Sequence, residues 1–290
     1  MSLVQVYSLS SKVSDSLTSI KRRFVFKVQY LGKNFAGWQV QPGKRTVQGL
    51  LEETFSSIVQ EPIRVIGAGR TDSGVHALGQ VAHFESSTSL SVEILLKAAN
   101  SRLPYEVGIF DLKEVDQSFH ANRSALYKVY SYWVLVSEKA WPFLSPWTWK
   151  VYGVYNLKAM QACLSFIEGR HNFKSFAAAD GSSKTFERHL IQAGVEEKSL
   201  ADFFKHTCDY FKIPAPLLSF KEEEAKLLCF YFKGEGFLKH MVRNLVGTLV
   251  EVGWGKRSVE DFKALLAVQD RQQAGRTAPA RGLSLIEVGY

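Results

Sequence analysis

The chain has 290 residues, of which 46% are hydrophobic and 13% aromatic. This composition excludes a chain that is disordered throughout, and the length is sufficient for two domains of ordinary size. The net charge of +8 favours a polyanionic partner such as nucleic acid, although a merely basic soluble protein would have the same charge.

The cysteines and histidines limit the kinds of site that the chain is expected to contain. The three cysteines form no C-x-x-C pair, and the seven histidines show no spacing typical of metal ligands. We therefore expect neither a disulfide framework nor a metal site, and a reducing compartment fits the cysteine usage. No apolar run approaches the length of a membrane span, so no membrane association is expected.

Residues 1–23 differ from the rest of the chain. They are rich in serine, contain Asp15 as their only acid and end in Lys21-Arg22-Arg23. We expect a flexible extension of a cytoplasmic protein. An organelle-targeting segment is the less favoured alternative.

The stretch 24–117 predicts the order strand, helix, strand, strand, helix, strand. Alternating or continuous apolar residues predict the strands, and Thr46 and Ser91 are suited to cap the helices. The predicted strands are 24–30, 63–66, 80–84 and 107–115. This order is typical of a ferredoxin-like α+β domain.

The stretch 118–290 predicts a second α+β domain with a similar order. Strands are predicted at 127–136, 190–195, 227–233 and 283–290, helices after Asn156 and Ser258, and a strongly amphipathic helix at 236–253. Residues 196–226 separate two strands that would otherwise form a hairpin, and 199–211 within them could be helical. Because hairpin loops are usually short, 196–226 is interpreted as an insertion.

The loop Gly69-Arg-Thr-Asp-Ser-Gly-Val-His-Ala77 is the most informative segment for chemistry. Arg70 precedes Asp72 by two residues on a glycine-framed loop, so its guanidinium could hold the carboxylate ionised or contact phosphate. An ionised aspartate can attack carbon as a nucleophile. From these residues alone, a surface turn with a salt bridge is the favoured interpretation.

As a string, the same loop resembles the signature of the TruA family of pseudouridine synthases. Further segments resemble motifs of that family in the same order along the chain. They are Gly37-Trp-Gln-Val-Gln41, Gln80-Val-Ala-His-Phe84, Asn100 to Pro104, Phe119-His-Ala121 with Lys128-Val-Tyr-Ser-Tyr132, Met241-Val-Arg-Asn244, and Ala278-Pro-Ala-Arg-Gly-Leu-Ser-Leu285. The resemblance covers residues 23–290 and departs from the family at the N-terminal extension and at the 196–226 insertion.

The resemblance implies a reaction and its principal residues. Family members break the bond between uracil N1 and ribose C1′, turn the base and rejoin it through C5, with no metal or cofactor. Asp72 matches the nucleophile, which attacks C1′ directly or assists a glycal route. Arg70 matches an arginine that helps to extrude the base and hold the aspartate, and Tyr130 matches the active-site tyrosine that can stack on the uracil. Tyr132, on the same side of the strand, is expected in the core.

Five further residues are predicted to bind the substrate. Leu283 matches an apolar residue that packs against the base. Arg243 and Lys239 are expected on the polar face of one helix, where Arg243 could pair with Asp72 or with phosphate. Gln39 and His76 belong to motifs that the resemblance places at the site.

The resemblance also implies the architecture and the partner. It implies two ferredoxin-like domains, 24–117 and 118–290, that share a continuous antiparallel sheet with the active-site cleft between them. It implies a homodimer that binds tRNA, with the substrate uridines on the 3′ side of the anticodon stem-loop at tRNA positions 38–40.

Two other functions remain open at this point. A non-catalytic RNA-binding protein with ferredoxin-like domains would also be basic and rich in aromatic residues, but neither half contains an RNP1-like run. An Asp-dependent hydrolase would usually need a second carboxylate or a metal cluster, and neither is evident near the Asp72 loop.

Overall fold

The computed structural model describes residues 21–181, 183–200, 203 and 225–290. Within these residues it contains ten β-strands and five α-helices, and no helix there is long and apolar enough to cross a membrane. Nearly all of the predicted N-terminal extension lies outside the described residues. Its predicted boundary at residue 23 is corrected, because the first strand already begins at Arg22.

The first half of the molecule, 22–115, has the predicted order of elements. They are β1 (Arg22–Tyr30), α1 (Val47–Val59), β2 (Ile66–Gly67), β3 (His76–Ser86), α2 (Val92–Arg102) and β4 (Val107–Val115). β2 is shorter and lies later than predicted, and β3 begins four residues before its predicted start at Gln80. Phe26, Phe55 and Phe84 pack α1 against the sheet, with ring centroids 4.3 to 6.1 Å apart.

The second half, 127–289, contains the predicted elements and two short additional strands. They are β5 (Tyr127–Val136), β6 (Trp149–Val151), α3 (Leu157–Ser165), β7 (Gly169–Asn172), β8 (Glu187–Lys198), β9 (Lys226–Gly234), α4 (Met241–Gly253), α5 (Val259–Val268) and β10 (Leu283–Gly289). β6 and β7 were not predicted. Because β8 and β9 extend into the predicted insertion, that insertion shrinks to 199–225. The helix predicted at 199–211 lies largely outside the described residues.

All ten strands form one sheet. Its order is β4-β1-β3-β10-β5-β9-β8-β7, with β2 beside β3 and β6 beside β5. The final strand, β10, therefore joins the two halves. The expectation of a purely antiparallel sheet is wrong at this junction, where β10 runs parallel to β3, and also between β5 and β6.

Four of the five helices begin in the usual way. Their N-cap residues are extended, and each side chain accepts a hydrogen bond from a backbone N–H of the first turn, as is favoured at N-caps. These residues are Thr46, Ser91, Asn156 and Ser258. The exception is α4, whose N-cap is His240 with a left-handed backbone (φ 62°) and no side-chain cap. The helix predicted from 236 consequently begins only at Met241.

Candidate active site

The Asp72 loop lies between β2 and β3 and is fixed through its backbone. The N–H of Trp38 donates to the carbonyl of Thr71 at 3.1 Å, and the hydroxyl of Ser73 donates to the carbonyl of Phe35 at 3.2 Å. Gly37 is in the left-handed region (φ 99°), and a Cβ there would lie 2.6 Å from the Thr71 carbonyl oxygen. Only glycine fits this close approach, which explains its place in the Gly37–Gln41 motif.

Buried hydrogen bonds hold the same loop from the side of the sheet. The hydroxyls of Tyr30 and Thr71 are 2.8 Å apart, and the side-chain amide of Gln80 donates to the Gly69 carbonyl at 2.7 Å. Burial raises the pKa of Tyr30 to about 12, so its hydroxyl stays neutral at physiological pH. These contacts of the loop that carries Asp72 all come from residues of the first half.

The carboxylate of Asp72 is contacted from the second half. Nη1 of Arg243 donates to Oδ2 at 3.1 Å, while Nε of the same guanidinium donates to the Ala278 carbonyl at 2.8 Å. Nε2 of His240 lies 3.5 Å from the same Oδ2. Within the described part of the chain, no group donates a hydrogen bond to Oδ1.

Both contacts come from the beginning of α4. His240 is its N-cap and Arg243 lies in its first turn, so the carboxylate lies at the positive end of the helix dipole. A hydrogen bond between a guanidinium and a carboxylate is shorter and stronger than one between neutral groups. The arrangement is therefore suited to orient the carboxylate of Asp72 in the cleft.

A cleft of about 960 Å³ surrounds Asp72. This volume is at the upper end of the roughly 300–1,000 Å³ typical of ligand sites. Both halves line it, and it contains five of the other predicted site residues: Gln39, Arg70, Tyr130, Lys239 and Leu283.

Tyr130 and Leu283 form part of an apolar wall of this cleft. Tyr130 is only 7% exposed and Leu283 only 6%, and the ring of Tyr130 packs edge-on against Phe237 with centroids 4.9 Å apart. Burial raises the pKa of Tyr130, so its hydroxyl is neutral. Tyr132 is fully buried and donates to the Pro279 carbonyl at 2.7 Å, which confirms its expected place in the core.

The basic residues of the cleft are placed differently from the prediction. Arg70 is exposed, and within the described residues the guanidinium that contacts Asp72 belongs to Arg243, so the expectation that Arg70 holds the carboxylate is corrected. Lys239 was expected on the helix with Arg243, but it lies in the turn before α4. Its amine is 2.6 Å from Oδ2 of Asp180.

His76 does not reach the cleft. It is 2% exposed, its Nδ1 accepts a hydrogen bond from the Gly32 N–H at 3.0 Å, and its Nε2 lies 3.0 Å from the Pro146 carbonyl oxygen. These contacts require a neutral ring, and burial lowers its pKa in agreement. His76 opens β3 and connects the first half to the second, so the structure gives it a structural place instead of the predicted contact with substrate.

Several cleft residues escaped the sequence analysis, and two of them carry a basic group beside the predicted residues. His240 precedes the Met241–Asn244 motif but shows no ligand-like spacing of its own. Lys128 lies two residues before Tyr130, and strand alternation alone would have placed it on the same side of β5. Burial lowers the pKa of Lys128, whose side chain packs over Gly69.

The cleft therefore presents the carboxylates of Asp72 and Asp180, an apolar wall and several cationic groups. An oriented carboxylate can attack carbon, apolar side chains can receive a flat base, and cations can bind phosphate. Within the described residues, no group of three or more His, Cys, Asp or Glu side chains is placed to hold a metal ion.

Comparison with known proteins identifies the family. The family described as tRNA pseudouridine synthase matches residues 27–122 and 164–290, which include Asp72, Arg243 and Leu283 but not β5 with Tyr130. A tRNA pseudouridine synthase A of Latilactobacillus sakei is 41% identical over 270 residues, which cover 93% of this chain and 99% of that protein. The proteins of the same name from Geobacillus sp. (strain WCH70) and Geotalea uraniireducens are 39% and 34% identical, again over 93% of this chain, and over 99% and 100% of their own length. This chain belongs to the tRNA pseudouridine synthase family.

Proposed function

We propose that this protein isomerises uridine to pseudouridine in tRNA, with Asp72 as its nucleophile. The observation that carries the proposal is the carboxylate of Asp72, held through Oδ2 by Arg243 in a cleft that both halves line. The relatives that are named tRNA pseudouridine synthase A support the same reaction for this chain. A purely RNA-binding role would give no reason for an oriented carboxylate among cationic groups.

The chemistry is an exchange of bonds at ribose C1′. A carboxylate oxygen of Asp72 bonds to C1′ while the C1′–N1 bond breaks, and the bonding electron pair leaves with uracil as its anion. The base turns, and its C5 then bonds to C1′ while the ester to Asp72 breaks and returns the carboxylate. Loss of the C5 proton, with protonation of N1, completes pseudouridine, so the reaction consumes no oxidant, reductant or second substrate.

Tyr130 and Leu283 are proposed to hold the uracil during this turn. Both lie in the apolar wall beside Asp72 and are largely buried, and an aromatic ring and an aliphatic side chain can sandwich a flat base. Because burial keeps Tyr130 neutral, its ring rather than a phenolate is the group offered to the base. Leu283 is the first residue of β10, so the junction of the two halves supplies this contact directly.

Arg70, Lys239 and Gln39 are proposed to bind the RNA around the flipped nucleotide. Extruding a stacked base costs a few kcal/mol, and the exposed guanidinium of Arg70, two residues from Asp72, is placed to enter the space left behind. Lys239 can exchange its contact with Asp180 for a phosphate. Gln39 offers an uncharged donor and acceptor on the same side of the cleft as Arg70.

The substrate region and the assembly are proposals that rest on the family resemblance. We propose that the target uridines lie on the 3′ side of the tRNA anticodon stem-loop and that two copies of the chain bind the tRNA together. We also propose that 24–117 and 118–290 are two ferredoxin-like domains, which the order strand, helix, strand, strand, helix, strand supports for the first of them. Light scattering of the purified protein with and without tRNA tests the dimer.

The test of the function is Asp72→Asn, assayed for pseudouridine in tRNA. Asparagine is nearly the same size but uncharged, so we expect kcat to fall by about 10⁴-fold or more, with tRNA affinity and melting temperature close to wild type. Asp111→Asn is the matched control, because Asp111 forms an exposed ion pair with Lys27 at 2.8 Å outside the cleft. A folded Asp72→Asn protein that modifies tRNA at near wild-type rate would show that the assignment is wrong.

A further inference from the structure

We propose that His240 is a positioning residue of the reaction, which together with Arg243 holds Oδ2 of Asp72 so that Oδ1 is the oxygen that attacks the ribose. The inference rests on the proposed role of Asp72. It assigns a task to a residue that the signature motifs do not explain, and it identifies which of two chemically equivalent oxygens reacts.

The first observation is the irregular start of α4. The other four helices that the structure describes from end to end have N-cap residues in the extended region whose side chains accept hydrogen bonds from the first turn. His240 instead adopts φ 62° and caps nothing with its side chain. A left-handed backbone is strained for a non-glycine residue, and glycine would remove that strain.

The other left-handed non-glycine residues have local explanations. Gln60 and Gln269 follow helices α1 and α5 as C-caps, where the left-handed conformation is common. Asp111 lies where the register between β1 and β4 shifts. Among the left-handed non-glycine residues in the described part of the chain, His240 is the one at a helix N-terminus, and the strained backbone there directs an imidazole to a carboxylate. Strain at such a point is typical of functional sites.

The second observation is that both contacts fall on one oxygen. Nη1 of Arg243 is 3.1 Å and Nε2 of His240 is 3.5 Å from Oδ2 of Asp72. Because Arg243 and His240 approach Oδ2 from two directions, they restrict rotation of the carboxylate. With Arg243 alone, the carboxylate could rotate about that single contact. Oδ1 receives no hydrogen bond from the described residues, so its lone pairs are available to C1′.

The environment of His240 suits a neutral donor. Burial is the main influence and lowers its pKa, and the nearby Arg243 and Lys239 act in the same direction, while Asp72 and Asp180 oppose them. A neutral imidazole with its proton on Nε2 can donate to Oδ2 without adding a second full positive charge. A second cation would hold the carboxylate more firmly but would also make it a weaker nucleophile.

Two variants of His240 separate positioning from folding. His240→Gly removes the ring and relieves the backbone, so we expect an unchanged or higher melting temperature, a kcat about tenfold lower and a KM for tRNA within about twofold of wild type. His240→Gln restores an N–H donor of similar reach, and we expect it to recover kcat to within about threefold of wild type. His189→Gln is the control, because His189 contacts Glu235 at 2.8 Å on the surface, outside the cleft.

Measuring Asp72→Asn in parallel separates a failure of this inference about His240 from a failure of the proposed function. An inactive Asp72→Asn with a slow His240→Gly and a recovered His240→Gln supports the inference. An inactive Asp72→Asn with His240→Gly at wild-type kcat, or changed only in KM, overturns the inference and leaves the function intact. A His240→Gln that is as slow as His240→Gly also overturns it, since a donor would then not be the property that matters. An active Asp72→Asn overturns the function itself.

Discussion

On the first-half side of the cleft, Asp72 stands on a loop whose backbone is fixed by Gly37, Trp38 and Gln80. On the second-half side, Arg243 and His240 reach the same carboxylate with side chains from the start of α4. The first arrangement determines where the nucleophile is. The second holds one of its oxygens and leaves the other without a hydrogen bond from the described residues.

The pairing of β10 connects the two sides of the cleft. β10 pairs in parallel with β3, which follows the Asp72 loop, and in antiparallel with β5, which carries Tyr130. A shift between the halves would move Arg243 away from Asp72 without disturbing the loop itself. Variants on the two sides should therefore differ: changes to the side-chain contacts should lower kcat alone, and changes to the backbone support should lower stability and kcat together.

The largest effect among these variants is expected for Arg243→Ala. The change removes the charge-assisted hydrogen bond to Oδ2 and leaves a partly buried carboxylate without its cation. We expect kcat to fall by about 100-fold, equivalent to about 2.7 kcal/mol of transition-state stabilisation. Single-turnover kinetics with saturating tRNA measure this rate.

Arg257→Ala is the matched control for that experiment. Its guanidinium also contacts one carboxylate, Glu251 at 3.3 Å, and one backbone carbonyl, that of Gln273 at 2.8 Å, but away from the cleft. We expect a similar loss of folded-state contacts with kcat within about twofold of wild type. Equal losses of kcat in Arg243→Ala and Arg257→Ala would show that the loss does not come from the contact with Asp72.

The backbone side is tested by Gly37→Ala. The new methyl group would strain a left-handed backbone and press against the Thr71 carbonyl, 2.6 Å from the new Cβ. We expect the free energy of unfolding to fall by about 2–4 kcal/mol, and kcat to fall with it because the Asp72 loop must move. Urea unfolding and the same single-turnover assay measure the two effects.

Gly43→Ala isolates the backbone strain in that comparison. Gly43 lies in the same long loop with φ 67°, but a Cβ there meets nothing within 4 Å. We expect a loss of about 1 kcal/mol in the free energy of unfolding and an unchanged kcat. If Gly37→Ala behaved like Gly43→Ala, the close approach would not be what fixes the loop.

The sequence was sufficient for the parts of this architecture that depend on local pattern. β4 and β5 have the predicted bounds because their apolar residues recur at strand spacing, and Thr46, Ser91, Asn156 and Ser258 cap the helices as predicted. β6 and β7 contain three and four residues, too few for a periodic pattern, and the parallel pairing of β10 with β3 depends on contacts distant in sequence. Such pairings are decided by packing, which local propensity does not encode.

The candidate site shows the same limit. The motifs pointed to Asp72, Arg70, Tyr130, Lys239, Leu283 and Gln39, all of which line one cleft, and to Arg243, which contacts Asp72. His76 was misplaced because adjacency in the signature is not adjacency in space: it begins β3 and its ring is used between Gly32 and Pro146. His240 was missed because the feature that distinguishes it, a left-handed backbone angle, is not visible in a sequence.

A smaller effect is expected for Tyr30→Phe, which tests the buried support of the loop. The change leaves the hydroxyl of Thr71 without its partner in a site where Thr71 is only 6% exposed. We expect a loss of about 1–2 kcal/mol in the free energy of unfolding. The double variant Tyr30→Phe with Thr71→Val removes both polar groups and should recover at least half of that loss, as measured by a double-mutant cycle. Additive losses would show that the two hydroxyls do not interact.

The smallest effect concerns Arg70, whose backbone belongs to the fixed loop while its side chain is exposed and makes no ion pair with Asp72. If the guanidinium binds a phosphate of the RNA, Arg70→Gln should lower the slope of log affinity against log salt by about 0.7–0.9. The melting temperature should not change, because the fixed loop does not depend on this side chain. Arg102→Gln is the control, since Arg102 is an exposed arginine of α2 outside the cleft. An unchanged slope together with a lower kcat would instead favour the role proposed above, in which Arg70 enters the space that the extruded base leaves behind. Arg70 would then affect kcat, as Arg243 and His240 are expected to do, although its backbone belongs to the first half.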